Sequence, residues 1–254
     1  MNNKLSVVII TFNEEKNIGR CLDSVKEIAD EIIVLDSYSQ DSTVEIAKTF
    51  GATVRQQPFK GYIETKNDAL LLATNAYVLC LDGDEALSDE LRLSIKNEKN
   101  HFSFSGYAMN RCTNYCGKFI RHGLWYPDRK LRLFDHHLAK WGGTNPHDKV
   151  EFLHASKSGY LKGDILHFSY NHLDEHPAQN NRFSSIAAKA KFEQGKRTNF
   201  FKLFINPLWA FINGYLLRLG FLDGFYGFVI AVNISHFTFM KHYKLYALQK
   251  GYEH

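Results

Sequence analysis

With 254 residues, 44% of them hydrophobic and 23% charged, the chain has ordinary globular composition, long enough for one large α/β domain with an appendage, and it carries no internal repeat or low-complexity tract. Cys21, Cys80, Cys112 and Cys116 lack a second Cys/His pair of finger-like spacing, so they read as reduced structural thiols rather than zinc ligands. The net charge of +4 is uneven: residues 196–254 carry seven Lys and Arg against two acids, a net of +5, and 14 of the 36 aromatic residues fall between Phe200 and Tyr246.

The opening MNNKLSVVII lacks the basic start and long apolar core of a signal peptide, which predicts a cytoplasmic protein. Leu5–Ile10 reads as a buried strand and residues 14–28 as a helix, with Ile18, Cys21, Leu22, Val25 and Ile28 on one face. Glu31–Leu35 is a second strand. Asp41-Ser42-Thr43 starts a helix that Gly51 stops. A weaker strand at Thr53–Arg55, a helix over 61–74 and a buried strand at Tyr77–Leu81 follow. This alternation with short links predicts a mostly parallel sheet covered by helices on both faces.

Past residue 100 the alternation fails. Residues 102–170 are rich in Gly, His, Arg and aromatics, with strand-like pieces at Lys130–Phe134 and Ile165–Phe168. Residues 172–194 and two segments within 199–248 look helical. The expected division is 1–100 as a nucleotide-binding half, 101–195 as the acceptor-binding and catalytic half of the same domain, and 196–254 as a helical subdomain. In the tail, uncharged stretches of 15 and 17 residues (203–217 and 224–240) are too short or too broken to span a bilayer comfortably. Their aromatic and basic character predicts helices lying in the interface of an anionic membrane, and no nucleic-acid partner.

In parallel sheets, ligands sit beyond the C-terminal strand ends. Three polar clusters fall there: Thr11–Glu15, Asp36–Asp41 and Asp82–Glu85. In Asp82-Gly83-Asp84, alternate residues of an extended chain point the same way, so both carboxylates can serve one cation, and Gly83 permits close backbone approach. Oxygen-only ligands favour Mg²⁺ or Mn²⁺. Asp36 can accept bonds from a base N–H or a ribose hydroxyl, or cap the next helix, for which Asp41 is better placed. Phe12 either lies against a nucleobase or packs in the core. Lys66 either carries its charge to a diphosphate or sits on a solvated helix face. His residues are numerous between His122 and His176, but none forms an H-E-x-x-H pattern, and no zinc site is assigned.

Four segments in order, SVVIITFNEE (6–15), IIVLDSYSQDST (32–43), KNDAL (66–70) and LCLDGDE (79–85), resemble the signature of glycosyltransferase family 2. The resemblance implies a Rossmann-like domain of GT-A type, a UDP-sugar donor, a divalent cation and inversion at the anomeric carbon. By that match Phe12, Glu14 and Asp36 contact the nucleoside, with Thr11, Lys66 and Gly83 beside them, and Asp82 and Asp84 hold the diphosphate–metal unit.

WYPDRKLRLF (125–134), NPHDKVEF (145–152), ILHFSY (165–170) and GFLDG (220–224) are similar to bacterial lipopolysaccharide-core β-1,4-glucosyltransferases. That likeness implies UDP-glucose as donor and a lipid-linked saccharide acceptor at the inner face of the cytoplasmic membrane. Those enzymes commonly carry His-Glu where this chain has His147-Asp148. An inverting transfer needs a carboxylate to take the acceptor proton, and Asp148 is the candidate, with Glu151 next. The alternative for Asp148 is a loop carboxylate paired with Lys149. Trp125, Arg129, Lys130, Arg132 and His147 are expected to bind the acceptor, the cations facing an anionic sugar or phosphate and the aromatic its sugar face.

Two other functions are weighed against this one. A sugar-phosphate nucleotidyltransferase would carry a Gly-rich loop after the first strand, which TFNEEKN is not. A non-catalytic nucleotide-sugar-binding protein would not need Asp82, Asp84 and Asp148 intact. A processive synthase is disfavoured because no Q-x-x-R-W motif occurs.

Overall fold

Strand β1 (Leu5–Thr11) is buried along almost its whole length because both of its faces are covered. Val7 and Ile9 point to one side, where they join Ile18, Cys21, Leu22 and Val25 of α1 (Ile18–Val25), Ala47 of α2 (Thr43–Thr49), and Leu91 and Ile95 of α4 (Asp89–Lys99). Val8 and Ile10 point to the other, against Ile63, Ala69 and Leu70 of α3 (Tyr62–Leu70). Each fully buried aliphatic side chain contributes roughly 1.5–3 kcal/mol, so this two-sided burial fixes β1 as the sheet's centre.

The computed structural model describes residues 3–144 and 147–252, the side chain of His147 excepted. The chain forms two units, Met1–Arg111 with Asp128–Phe168, and Cys112–Pro127 with Ser169–His254. In the first, β1 pairs in parallel with β2 (Glu31–Asp36) and β4 (Tyr77–Asp82), and β2 with β3 (Thr53–Gln56). The sheet is thus the expected α/β layer with helices on both faces. Beyond β4 it continues with antiparallel strands, of which the sequence reading located the pieces Lys130–Phe134 and Ile165–Phe168 but not the others. The antiparallel strands are β5 (Glu85–Leu87), β6 (Gly106–Tyr115), β8 (Asp128–Asp135) and β11 (Ser158–Tyr170), in the order β3-β2-β1-β4-β8-β6-β11-β5, with β7 (Lys118–Phe119) paired to β6. A separate hairpin of β9 (Ala139–Thr144) and β10 (His147–Phe152) has Gly143 opposite Asp148.

The register sets the site. Thr11 lies beside Asp36, and Ile10 beside Asp82. The ends of β1, β2 and β4 are therefore level, and the polar residues that follow them share one edge.

The second unit contains α5 (Glu175–Glu193), α6 (Phe200–Phe211) and α7 (Gly224–Lys250). A π-helical stretch, Ile212–Leu217, extends α6, and a 3₁₀ turn, Gly220–Asp223, leads into α7. The α7 backbone approaches that turn so closely that a Cβ on Gly227 would lie 1.9 Å from the Gly220 carbonyl oxygen, so only glycine fits. Asn180 of α5 donates to the Asn233 carbonyl at 3.0 Å, and Lys244 of α7 donates to the Asn181 carbonyl at 2.9 Å. The expected boundary at residue 196 is therefore displaced. Helix α5 packs on α7, so a cut near Gly195 strips α5 of its partner and does not release a separate tail.

Tyr115, Trp125, Tyr170 and His176 form an aromatic cluster in this unit, with Trp125 and Tyr170 stacked at 5.5 Å. Helix α6 buries only Leu203 and Pro207. Phe201, Phe204, Ile205, Leu208 and Trp209 are exposed. Phe200–Leu217 is the one helix among the described residues long and apolar enough, by length and composition, to cross a membrane.

Candidate active site

The loops after β1 and β2 are stitched to each other by backbone amides. Asn13, in the left-handed region at φ 54°, donates to Ser39 Oγ at 2.8 Å, and its own side-chain oxygen accepts from Gln40 N at 2.8 Å. Glu14 N donates to Thr43 Oγ1 at 2.8 Å and Glu15 N to Asp41 Oδ2 at 3.1 Å. Asp36 anchors this assembly. It is fully buried and accepts from Ser39 N and Gln56 Nε2, each at 2.9 Å, and from the Ser39 hydroxyl. Phe12 stands 55% exposed and is not a core residue, so its ring is free to meet a base.

Gly83 marks the closest approach between strand ends. Its N–H donates to the Ile10 carbonyl at 3.0 Å, and a Cβ there would sit 2.7 Å from Thr11 Oγ1 and 3.2 Å from Glu14 Cγ. Any side chain would push these loops apart. Thr11 Oγ1 itself is buried without a hydrogen-bond partner. Burial raises the Glu14 carboxyl above its usual range, the bond from Asn17 opposes this, and Asp84 adds to the rise.

Asp82 closes β4. Its backbone N–H donates to Glu85 Oε2 at 3.0 Å. Burial works against its charge, but Lys66 and Arg132 more than compensate and hold the carboxyl far below the ordinary carboxylate range. Lys66 Nζ lies 3.0 Å from Asp82 Oδ1, yet off the direction of a hydrogen bond, so this buried oxygen retains an unsatisfied lone pair. Asp84 pairs with His167 Nε2 at 3.1 Å. Two carboxylates, one with an orphaned oxygen, fit a hard divalent cation. Among the described residues no three His, Cys, Asp or Glu side chains gather closely enough to hold one alone. Diphosphate oxygens and water would have to complete the shell.

Opposite Asp82, a cavity of about 380 Å³ brings together Lys66, Asp82, Arg129, Lys130, Arg132 and Asp148. Lys66 is buried, not on a solvated face, and donates to Asp148 Oδ2 at 2.8 Å. Burial disfavours its charge, but attraction to Asp82 and Asp148 outweighs this and raises its pKa. Its ammonium also lies 4.5 Å from the centre of the Trp141 ring. Asp148 is therefore not paired with Lys149, which meets Glu151 at 2.9 Å.

Three acceptor expectations need correction or fall outside the described residues. Arg132 is 3% exposed and braces Glu85 Oε1 at 3.0 Å and Asp82 Oδ2 at 3.4 Å, so its charge is already committed to the site's own carboxylates. Trp125 belongs to the aromatic cluster of the second unit, because its indole stacks on Tyr170. The His147 side chain lies outside the described ones. Arg129 stands over the Tyr160 ring at 4.9 Å, and Lys130 pairs with Asp128 at 3.0 Å, both at the cavity wall. Glu85 and His167 lie inside segments that the sequence reading singled out without giving either a role of its own, and Trp141 lies outside all of them. The signal for His167 is its register opposite Glu85 in the β11–β5 pair, which needs the topology.

The model of glycosyl transferase family 2 matches residues 6–149. The chain belongs to that family. An uncharacterised glycosyltransferase of Rickettsia typhi is 34% identical over 257 residues, covering 95% of this chain and 86% of the relative. The lipopolysaccharide core biosynthesis glycosyltransferase LpsC of Rhizobium meliloti is 26% identical, covering 95% of this chain and 92% of the relative. The Staphylococcus aureus TarS 1–349 structure in complex with UDP shares the fold at TM-score 0.50 and 15% identity, over 98% of this chain and 92% of that one. This family 2 glycosyltransferase thus has its matched segment running from β1 through the strand that bears Asp148.

Proposed function

We propose that this glycosyltransferase transfers a hexose, glucose from UDP-glucose in the first instance, with inversion to a saccharide of the lipopolysaccharide-core type linked to a membrane lipid. The observation that carries the reading is that Asp148 and Asp82 face one cavity, bridged by a single ammonium, with the Asp82-Gly83-Asp84 turn at its edge. Phe12 offers a face to the base, and Lys66 lies within reach of a diphosphate. Asp82 and Asp84 would hold Mg²⁺ or Mn²⁺, which supplies charge neutralisation for the departing diphosphate. Asp148 accepts the proton of the acceptor hydroxyl as its oxygen bonds to the anomeric carbon, while the bond from that carbon to the diphosphate oxygen breaks and the nucleoside diphosphate leaves. The similarity to LpsC supports the acceptor class, and Arg129 and Lys130 suit an anionic acceptor.

The second unit would bring the enzyme to the inner face of the membrane. Helix α6 buries only Leu203 and Pro207, and its remaining faces are largely aromatic and aliphatic. Lying in the interface suits it better than spanning. The 18-residue segment Phe200–Leu217, which carries Lys202, measures about 27 Å as a helix, short of a hydrocarbon core of roughly 30 Å. It also packs on α7, which carries the polar α5 on its flank.

The test is a transfer assay of the full-length protein with Mn²⁺, a panel of UDP-hexoses, and lipid-linked and delipidated core saccharides. Product masses and anomeric configuration report the outcome. Transfer from UDP-glucose to the lipid-linked acceptor with inversion is expected. A different sugar would correct the donor, whereas, in a parallel reaction with a nucleoside triphosphate and a hexose phosphate, formation of the nucleotide sugar with release of inorganic diphosphate would overturn the reaction class.

A further inference from the structure

The candidate base is already engaged as a hydrogen-bond acceptor, by the same ammonium that occupies the candidate metal carboxylate. Lys66 Nζ is 2.8 Å from Asp148 Oδ2 and 3.0 and 3.3 Å from the two oxygens of Asp82. The side chain is 5% exposed, so it does not trade these contacts for water. The two carboxylates come from different elements, the end of β4 and the hairpin strand β10, and this lysine contacts both.

We propose that Lys66 is an internal stand-in for the cation, one that occupies Asp82 and blocks Asp148 until a nucleoside diphosphate enters with its divalent ion. This rests on the functional reading just given. A bare divalent ion approaching Asp82 meets an ammonium at contact distance and, behind it, the Arg132 guanidinium, 3.4 Å from Asp82 Oδ2. Like charges at such separations repel strongly in a shielded site. A diphosphate changes the balance, because its anionic oxygens give Lys66 somewhere else to go. The lysine stem is flexible and its ammonium is a point charge with three donors. Trp141 provides a face along which the ammonium can move while it remains attracted to the ring. Once Lys66 has turned to the diphosphate, Asp82 is free for the metal and Asp148 Oδ2 is free for the acceptor hydroxyl. Metal, donor and base are then coupled through one side chain, and Oδ2 of the base is engaged in an enzyme without donor. Lys66 is in this sense a positioning residue for Asp148 as well as a ligand of the donor.

Coupling of this kind is reciprocal and is read from binding alone. The experiment is a Mn²⁺ titration of the full-length protein, following free Mn²⁺ by electron paramagnetic resonance, with and without UDP. It is run on wild type, Lys66→Met, Lys66→Arg and Asp82→Asn. Wild type should bind Mn²⁺ weakly alone and much more tightly with UDP. In Lys66→Met, affinity for Mn²⁺ alone should rise at least about tenfold, the low end of what changes beside metal ligands produce, and the UDP-induced tightening should shrink by a similar factor. Lys66→Arg, which keeps the charge, should stay near wild type. If Lys66→Met fails to fold, Lys66→Gln gives the same measurement with an uncharged side chain that still offers the carboxylates a hydrogen-bond donor. Equal Mn²⁺ affinity and equal UDP coupling in wild type and the uncharged variants would overturn the proposal while leaving the metal site standing. Binding unaffected by Asp82→Asn, or no Mn²⁺ binding in any state, would overturn the metal reading and the proposal with it.

Discussion

Asn67 and Trp141 hold each other through two amide hydrogen bonds. Asn67 Nδ2 donates to the Trp141 carbonyl at 3.0 Å, and Trp141 N donates to Asn67 Oδ1 at 3.0 Å. One residue before Asn67 stands Lys66, and the strand hairpinned to Trp141 carries Asp148. The clamp therefore fixes the distance across the cavity. Asn67→Ala leaves a backbone donor and acceptor unpaired, costing about 1–3 kcal/mol. It should lower kcat by one to two orders of magnitude, since a misplacement of about 1 Å at a reacting group can cost that much, while donor affinity falls much less. Steady-state kinetics with a thermal melt separate the two effects, and an unchanged kcat would remove the clamp from catalysis.

Gly83→Ala places a methyl 2.7 Å from Thr11 Oγ1. The expected result is a stability loss of about 1–3 kcal/mol from overpacking and weaker Mn²⁺-dependent UDP binding. The clash is local, so Thr11→Ala should restore part of both in the double variant. Calorimetry with UDP and Mn²⁺ on the three variants checks this. Purely additive losses would place the defect elsewhere.

The N-terminal half was legible because its chemistry is local. A strand buried on both faces writes a continuous apolar run, as in Leu5–Ile10, and a polar residue at its end is visible without a structure. The DGD turn and Asp36 are found that way, whereas Lys66 lies on helix α3, where a charged residue reads equally well as a solvated face. What sequence does not carry is register across distant strands. Glu85 sits opposite His167 from a strand about eighty residues away, and Arg132 reaches Asp82 only because β8 lies antiparallel to β4. Helix α4 was within reach of a sequence reading: Ser88 caps it by accepting from Leu91 N at 3.2 Å, and Leu91 and Ile95 are its buried face. Trp125 misleads for the opposite reason, since an aromatic beside basic residues looks like a sugar platform until its stacking partner is known.

The second unit should lose stability as pH falls. Burial lowers His176 and His242 to about 4 each, and neighbouring lysines add to the shift at His242. Their folded pKa lies below the ordinary value of about 6.5, so the unfolded chain takes protons first between pH 6.5 and 4. Stability contributed by the neutral rings is thus complete above pH 6.5 and is lost progressively down to about pH 4. Asn206 Nδ2 faces His242 Nε2 at 2.9 Å, and a protonated ring would set donor against donor. Thermal melts from pH 7 to 4 should show the wild-type melting temperature falling more steeply than that of a His176→Gln, His242→Gln variant. Parallel curves would contradict this.

Membrane association should be peripheral. Vesicles of anionic lipid should carry the protein upward in a flotation gradient at low salt, and high salt should weaken this without abolishing it. Each Lys or Arg near the surface contributes on the order of 1 kcal/mol and is screened, whereas apolar insertion is not. Replacing Phe201, Ile205 and Trp209 together by serine should remove the salt-resistant part. No flotation with wild type would leave the exposed α6 face without this role, and resistance to alkaline carbonate extraction would favour a spanning segment.

The most direct measurement compares Asp148→Asn with wild type in two assays on the same preparation: UDP-sugar affinity with Mn²⁺ by calorimetry, and the single-turnover rate of transfer. If Asp148 is the base, affinity stays within a few-fold while transfer falls at least about 10²-fold, the low end of a general-base contribution. Transfer at a near wild-type rate would contradict the assignment and move the base to another carboxylate, Glu151 first.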